Sequence, residues 1–438
     1  MRPVLVLLIL VATWVVWRRI NEYLYNDAFS PLSLLFYFWV APFILSFANL
    51  SGLQSGVTGF AITVISVSTL LLCLTCILPA LLRKTRGPHL LMMNKAAPTE
   101  VKLFWVFGFY IATMIALYFA EFHGRDLPLL NYVIGDASDS NLNTQGKDSK
   151  LQFVAAGTTV GSTFLFYLWL TDVQFWRRAL FLTLSLLVVI LGFAKSSKSD
   201  VFIPVLCFAA LHYYHHRERR TALPLRYITA AILLIPLTIS LTSIRLDGVG
   251  LVGGYAGLID FKYTDELGSV LSEILSIAYG YTALAFQNFS NYVETHDIEL
   301  RLGASLFRPF LSLLMMGDVA NEISIPVSQW NVVSDAANTG TFLTSLYIEG
   351  GPAFCFLGSF IYGLIVNIIY HQFRSSLRLS WKFLYVSVLF PWTWLFFTNA
   401  FSVLSVYINL LYVLVLANLC VRRKSRKRFD SRFQAKIE

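Results

Sequence analysis

The sequence predicts an all-α polytopic integral membrane protein, a single membrane domain of about eleven transmembrane helices with large loops on one side. Three observations predict it. Of the 438 residues, 56% are hydrophobic and only 13% are charged, roughly half the charge content of a soluble domain. Apolar stretches recur along the whole chain at close to the ~20 residues that a helix needs to cross hydrocarbon. Lys and Arg fall between these stretches rather than inside them, which is how topology is encoded in bilayers.

In chain order the spans are Pro3–Trp17, Pro31–Asn49, Phe60–Leu82, Leu103–Phe122 and Phe153–Thr171. The series continues with Ala179–Ala194, Val201–Tyr214, Tyr227–Ser243, Pro352–Tyr370, Phe383–Thr398 and Phe401–Cys420. The first looks like a signal peptide in length. Arg18 and Arg19 follow it, however, and it lacks a small-x-small cleavage pattern, so it is read as an uncleaved helix. The sixth and seventh are short and pair as a tight hairpin or tilt little.

Charge then orients the path. The tail VRRKSRKR (Val421–Arg428) opens a basic segment, 421–438, that belongs in the cytoplasm. Counting back through the spans puts Arg18/Arg19, Arg83–Lys102, Asp172–Arg178, His215–Arg226 and His371–Lys382 on the same side. That side holds 24 of the 34 Lys and Arg but only 7 of the 25 Asp and Glu. The net charge of +9 is thus a topology signal, and no nucleic-acid partner is expected. The N-terminus faces outward, as do two long loops, 123–150 and 244–351. Loops of such length usually carry a function.

The larger loop has helical periodicity. Between Val270 and Val293, Ile274, Ala278, Tyr281, Ala285, Phe289 and Tyr292 recur every three or four residues, while Glu273, Ser276, Gln287 and Asn291 fall off that stripe. The spacing predicts a helix lying in the outer interface or on the bundle. The alternative is a twelfth span. Ser305–Met316 is apolar and short, and suits a re-entrant piece.

The chemistry is bounded first by what is missing. The sequence contains no GxxxxGK[ST] phosphate loop, no GxSxG elbow and no HExxH pair. Cys73, Cys76, Cys207, Cys355 and Cys420 lie in or beside apolar segments without histidine partners at ligand spacing, so they read as small apolar residues. His215 and His216 sit beside arginines as interfacial residues. No metal or cofactor is expected.

Cations on the outward side stand out. Lys195 and Lys198 occupy the turn KSSKSD, Arg245 lies in TSIRLDG, and Arg301 and Arg308 lie in RLGASLFRP. Grouped at a membrane surface, they suit a phosphate. Taken singly, the lysines would snorkel to headgroups and Arg245 would pair with Asp247. For acid–base work the loop offers His296, in the charged stretch ETHDIELR, and Glu349, in SLYIEGGP at the head of the ninth span. His296 titrates near neutrality. A helix-terminal carboxylate is the plain reading of Glu349. Asp335, in the polar stretch NVVSDAANTGT, could hydrogen-bond sugar hydroxyls. The loop is also rich in aromatic residues, Tyr281 among them, that suit either sugar rings or interfacial anchoring.

NDAFSPLSLLFYFWV opens the second span, GFAKSSKSDVFIPVLCFAAL joins the sixth and seventh, and TSIRLDG and NTGTFLTSLYIEGGPAFCFLGSFIYG bracket the large loop. This layout resembles the O-antigen polymerase family, the oligosaccharide repeat-unit polymerases called Wzy. The resemblance covers most of the chain in layout and rests on few residues. It implies a Gram-negative inner-membrane enzyme with its large loop in the periplasm and its C-terminus in the cytoplasm. It implies a GT-C-like, metal-independent glycosyltransferase. Such an enzyme moves a growing glycan from undecaprenyl diphosphate to the non-reducing end of another undecaprenyl diphosphate-linked repeat unit. Its partners would be those lipid-linked oligosaccharides, the bilayer and a chain-length regulator. Many members carry a Gly-Ser-Arg turn after the sixth helix, and Lys198 stands at the place of that arginine here. Arg245 matches a family-like arginine opening the loop, and Glu349 matches the acidic residue before glycine at its end.

Two other functions share these features. An O-antigen ligase has the same layout. A flippase or exporter of lipid-linked sugar should show charged or Gly/Pro-broken positions within its spans, or two related halves. Beyond Pro79 and Pro236 the predicted spans hold little of that kind. A non-catalytic scaffold would tolerate loss of Arg245.

Overall fold

A chain surrounded by hydrocarbon must satisfy its backbone N–H and C=O groups within itself, so the apolar stretches become helices. The computed structural model describes residues 3–82, 103–123, 149–194, 198–216, 254–295, 340–376, 378–400 and 403–420, with single positions at 311, 314 and 319. Its first seven helices are α1 (Pro3–Leu24), α2 (Pro31–Ser46), α3 (Gly59–Leu82), α4 (Leu103–Phe122), α5 (Ser149–Thr171), α6 (Phe175–Ala194) and α7 (Lys198–His215). Four short helices follow: α8 (Gly254–Leu258), α9 (Thr264–Leu267), α10 (Ser269–Thr282) and α11 (Leu284–Thr295). The last three are α12 (Phe342–Ser375), α13 (Leu379–Thr393) and α14 (Leu404–Cys420).

Each predicted span except Tyr227–Ser243 falls on one of these helices, and Tyr227–Ser243 lies outside the described residues. Among the described residues, six helices are long and apolar enough to cross a membrane: α1, α3, α4, α5, α6 and α12. α2 and the Ser405–Leu419 part of α14 are apolar but shorter. Large apolar side chains stay exposed on several of these helices, among them Leu8, Leu70, Phe104 and Ile190. Water would not tolerate that much contiguous apolar surface. These features support a multi-pass membrane protein.

Local chemistry sets the irregularities. α1 runs past Trp17 to Leu24, stabilised by Arg18 Nε bonding Glu22 at 2.9 Å one turn on. α2 starts on Ser30, whose side chain accepts from the Ser33 N–H, with Pro31 at the first helical position. It widens into a π turn over Phe36–Val40, where the Ala41 N–H reaches back to the Phe36 carbonyl. Pro42 follows at once and has no N–H to continue the regular ladder.

α5 is the central helix. Of its spanning window 72% is buried, against 6% for α1, which lies at the periphery. α5 packs on α4, α6, α7 and α14, and Phe164 stacks on Phe383 of α13 with ring centroids 3.7 Å apart. α3 lies along α12, close because of Gly363: a Cβ there would come within 2.0 Å of Thr75 Oγ1. Asn367 Nδ2 donates to Cys76 Sγ at 3.2 Å in the same seam.

The bundle has two distinct ends. At one, the chain between α2 and α3 is fastened to α8–α11. Gly52 N donates to Asp260 O at 2.7 Å, Lys262 N to Leu50 O at 2.9 Å, and Ser51 and Phe261 form an isolated bridge. Gln287 Nε2 donates to Gly56 O at 2.9 Å, and its Oε1 accepts from Gly56 N at 3.0 Å. Thr58 N donates to Ser290 Oγ at 2.9 Å. At the other end the C-termini of α1, α5, α7 and α12 meet. Trp169 stacks near His212, Arg178 Nε donates to Trp169 O, and Arg374 Nη1 donates to Tyr25 O at 2.9 Å. Arg18/Arg19, Asp172–Arg178, His215 and Arg374 therefore share an end, as the charge distribution requires, and α8–α11 lie at the opposite one.

Val270–Val293 is helical, as its spacing predicts, but not as one unbroken helix. It divides at Ala283 into α10, of 14 residues, and α11, of 12 residues, each too short to cross ~30 Å of hydrocarbon. The buried face also differs from the predicted stripe. Ala285, Phe289 and Tyr292 are buried as expected, but Ala278 is exposed, and the off-stripe residues Glu273, Ser276 and Gln287 are buried. The reason is polar. Glu273 accepts from the N–H groups of Tyr255 at 2.8 Å and Ala256 at 3.1 Å, capping α8. Gln287 holds the chain before α3. Ser305–Met316 falls almost wholly outside the described residues, as does the loop 123–150.

Candidate functional site at a broken helix

The sequence Glu349-Gly350-Gly351-Pro352 breaks α12. Pro352 has no N–H and suits the first turn of a new helix. Gly351 adopts φ 65° and ψ −152°, a region essentially reserved for glycine. The stretch Phe342–Glu349 therefore turns away from the long helix and lies across its head. Cys355 Sγ approaches Leu343 O at 3.5 Å across this fold. Glu349 is the last residue before the break, and it is fully buried.

The surroundings of this piece are aromatic on one side and polar on the other. Tyr347 meets Phe289 and Tyr292 of α11 edge-on, with centroids at 6.0 and 6.4 Å. Trp39 of α2 packs edge-on against Phe286 at 4.9 Å and Phe342 at 5.0 Å. The Phe342 N–H donates to Leu395 O at 2.9 Å, and Asn399 Nδ2 donates to Tyr362 Oη at 3.2 Å. The hydroxyls of Thr341 and Thr344 are buried with no hydrogen-bond partner among the described residues. A buried carboxylate and two such hydroxyls on one short piece are costly in an apolar setting.

Three of the sequence candidates can be located. Tyr281 is half-buried, stacked between Tyr255 at 5.6 Å and Phe397 at 5.9 Å. Glu349 lies on the piece whose first N–H bonds Leu395. Tyr281 and the Glu349 segment thus both rest on the turn that follows α13. Lys198 opens α7, and Phe202, one turn on, packs near Trp394 at 5.8 Å, so the head of α7 reaches the same turn. The side chain of Lys198 is outside the described residues, and so are Lys195, Arg245, His296, Arg301, Arg308 and Asp335.

Burial pushes the Tyr279 hydroxyl up to about 12, against hydrogen bonds from Leu50 and to Gln54 that act the other way. Burial also raises Tyr255, reinforced by Tyr281 and Glu273. Among the described residues no three His, Cys, Asp or Glu side chains converge as a metal site.

Sequence reasoning missed a polar cluster at the opposite end. Asp27 is fully buried. Its Oδ2 accepts from Tyr370 Oη at 2.7 Å and from Tyr214 Oη at 3.2 Å, and its Oδ1 accepts from Phe29 N at 3.0 Å. Tyr385 Oη donates to Phe29 O, and Arg374 Nη1 donates to Tyr370 Oη at 3.3 Å. The cluster binds α1, α2, α7, α12 and α13 together. The one signal in the sequence is an acidic residue opening an apolar span, which in a membrane chain needs a partner.

Compared with known proteins, the chain matches no family model, no curated protein and no solved structure.

Proposed function

We propose that this protein is a membrane glycosyltransferase that polymerises lipid-linked oligosaccharide repeat units, a Wzy-type O-antigen polymerase of GT-C-like architecture. The observation that carries the reading is the placement of Glu349. It is buried at a helix break, on the end of the bundle where α8–α11 dock, against the same turn as Tyr281 and near the head of α7. The resemblance in sequence layout supplies the reaction.

The chemistry asks for little more than this end and its flanking loops could offer. The bond between the anomeric carbon of the donor glycan and its diphosphate breaks, and undecaprenyl diphosphate leaves. The acceptor hydroxyl oxygen bonds that carbon, and its proton passes to a base, for which Glu349 and His296 are the candidates. Arg245, with Lys195 and Lys198, would compensate the diphosphate charge, and Arg301 and Arg308 would serve either chain's diphosphate. Tyr281 and Asp335 would hold sugar. In this reading the protein lies in a Gram-negative inner membrane with the α8–α11 end in the periplasm.

The test is deletion of the gene, followed by gel analysis of the surface polysaccharide. A core bearing a single repeat supports a polymerase, and a normal ladder removes the reading. Arg245→Ala and Glu349→Gln should each collapse the ladder at normal protein levels.

One observation favours a second reading. Broken helices with buried charge are also the hallmark of transporters, and the break in α12 is such a feature. An exporter of lipid-linked sugar, like an O-antigen ligase, would leave a core with no attached glycan. Flipping assayed in proteoliposomes would then separate exporter from ligase.

A further inference from the structure

Where α5, α7, α13 and α14 meet, the packing leaves a cavity of about 20 Å³. Its polar lining comes from every one of these helices: Thr159 and Thr163 from α5, Cys207 from α7, Ser387 from α13 and Asn409 from α14. Asn409 Oδ1 is buried and has no hydrogen-bond partner among the described residues. Thr163 Oγ1 donates to Thr159 O at 2.7 Å, and the Thr163 side chain also hydrogen-bonds that of Cys207.

Size and polarity together select the occupant. Sites for small organic ligands run to about 300 Å³ or more, so neither a sugar ring nor a lipid chain fits. A water needs about 10–15 Å³ in this measure and two to four polar partners. Apolar cavities stay dry, whereas the lining of this one includes Thr159, Thr163, Ser387 and the buried amide oxygen of Asn409. We infer that a single water is bound here, donating to Asn409 Oδ1 and bridging it to the hydroxyls of α5 and α13. Helices in hydrocarbon gain little from apolar contact alone, and polar side chains hydrogen-bond across their interfaces. The bound water is therefore a second polar link between α14 and the central helix, beside the direct bond from Tyr412 Oη to Phe153 O at 3.3 Å. This does not rest on the glycosyltransferase reading.

Pulsed X-ray hydroxyl-radical labelling of the purified full-length protein in nanodiscs tests the inference. Radicals form from water where it lies, so a buried thiol beside a bound water is oxidised and one in dry packing is spared. Cys207 should be oxidised several-fold faster than Cys76 and Cys355, which are equally buried elsewhere. Asn409→Leu should bring Cys207 down to their rate, and Ser387→Val should do the same if the first variant does not fold. Equal rates at the three thiols of the unaltered protein overturn the inference, as does an unchanged Cys207 rate in either folded variant.

Discussion

Tyr370 Oη donates to Asp27 Oδ2 at 2.7 Å, joining residues 343 apart in sequence. Tyr214 shares the same oxygen, and its hydroxyl also lies 3.3 Å from Phe29 O. One carboxylate thus holds three helices at one end of the bundle. Removing one donor leaves Asp27 less compensated, which for a hydrogen bond to a charged group costs about 1.5–3 kcal/mol. Tyr370→Phe and Tyr214→Phe should each lower the melting temperature in detergent. The double variant should lose less than the sum, because both hydroxyls serve one oxygen. Strict additivity would show that the two bonds are energetically separate.

Gly351→Ala forces a Cβ into backbone space that only glycine occupies comfortably. Strain of this type costs on the order of 1–3 kcal/mol. The substitution should reduce thermal stability and, on the function proposed above, shorten the polymer made in cells by displacing Glu349. Unchanged melting and an unchanged ladder would mean that the break is not held at this φ.

Gln287→Ala removes the side chain that clamps Gly56 through both its N–H and its carbonyl. The α11 helix would survive, since Gln287 contributes no backbone bond that Ala lacks. Hydrogen exchange should rise roughly ten-fold at Gly56 and Thr58, in line with loss of about 1.4 kcal/mol of local closure. Exchange at Tyr370 and Tyr385, at the far end, should not move.

His215, just beyond the span Val201–Tyr214, is held below its ordinary value of 6.5 by burial first, then by His216 and Arg178. The folded state thus binds the proton less readily than the unfolded chain. Stability is full above about pH 6.5 and is lost as pH falls below it, until His215 itself protonates in the folded state. Melting temperature between pH 8 and pH 5 should fall less in His215→Gln than in the unaltered protein. Parallel curves would exclude His215 from the acid response.

The spans are legible in the sequence because hydrocarbon imposes a length and a composition that can be counted. Pro352 marks the head of a long helix, but the short piece before it, Phe342–Glu349, carries no comparable signal. Its apolar run is too brief to suggest a span, and its fold-back depends on Leu395 and Cys355. The α10 face departs from its periodicity because Glu273 is buried through a cap on α8, which spacing along one helix does not encode. Lys382 belongs by charge to a basic connection, yet it is buried on α13. Asp27 is invisible as an organiser because its partners Tyr214 and Tyr370 lie 187 and 343 residues away. Of the candidate site, the motif SLYIEGGP flags Glu349 and the aromatic content of the loop flags Tyr281, but their common contact with the turn after α13 is set by tertiary packing.

The distances along the chain that join Asp27 to its partners bear on synthesis. A ribosome releases the Asp27 carboxylate long before Tyr214 exists, and longer still before Tyr370 and Tyr385. Until then a charge sits at the mouth of an apolar helix without its tyrosines, and closing so long a loop is slow. Nascent chains stopped before α7 would expose that carboxylate and the unclamped segment around Ser51 together. Such fragments should be recognised and degraded, and only full-length translation conceals both signals.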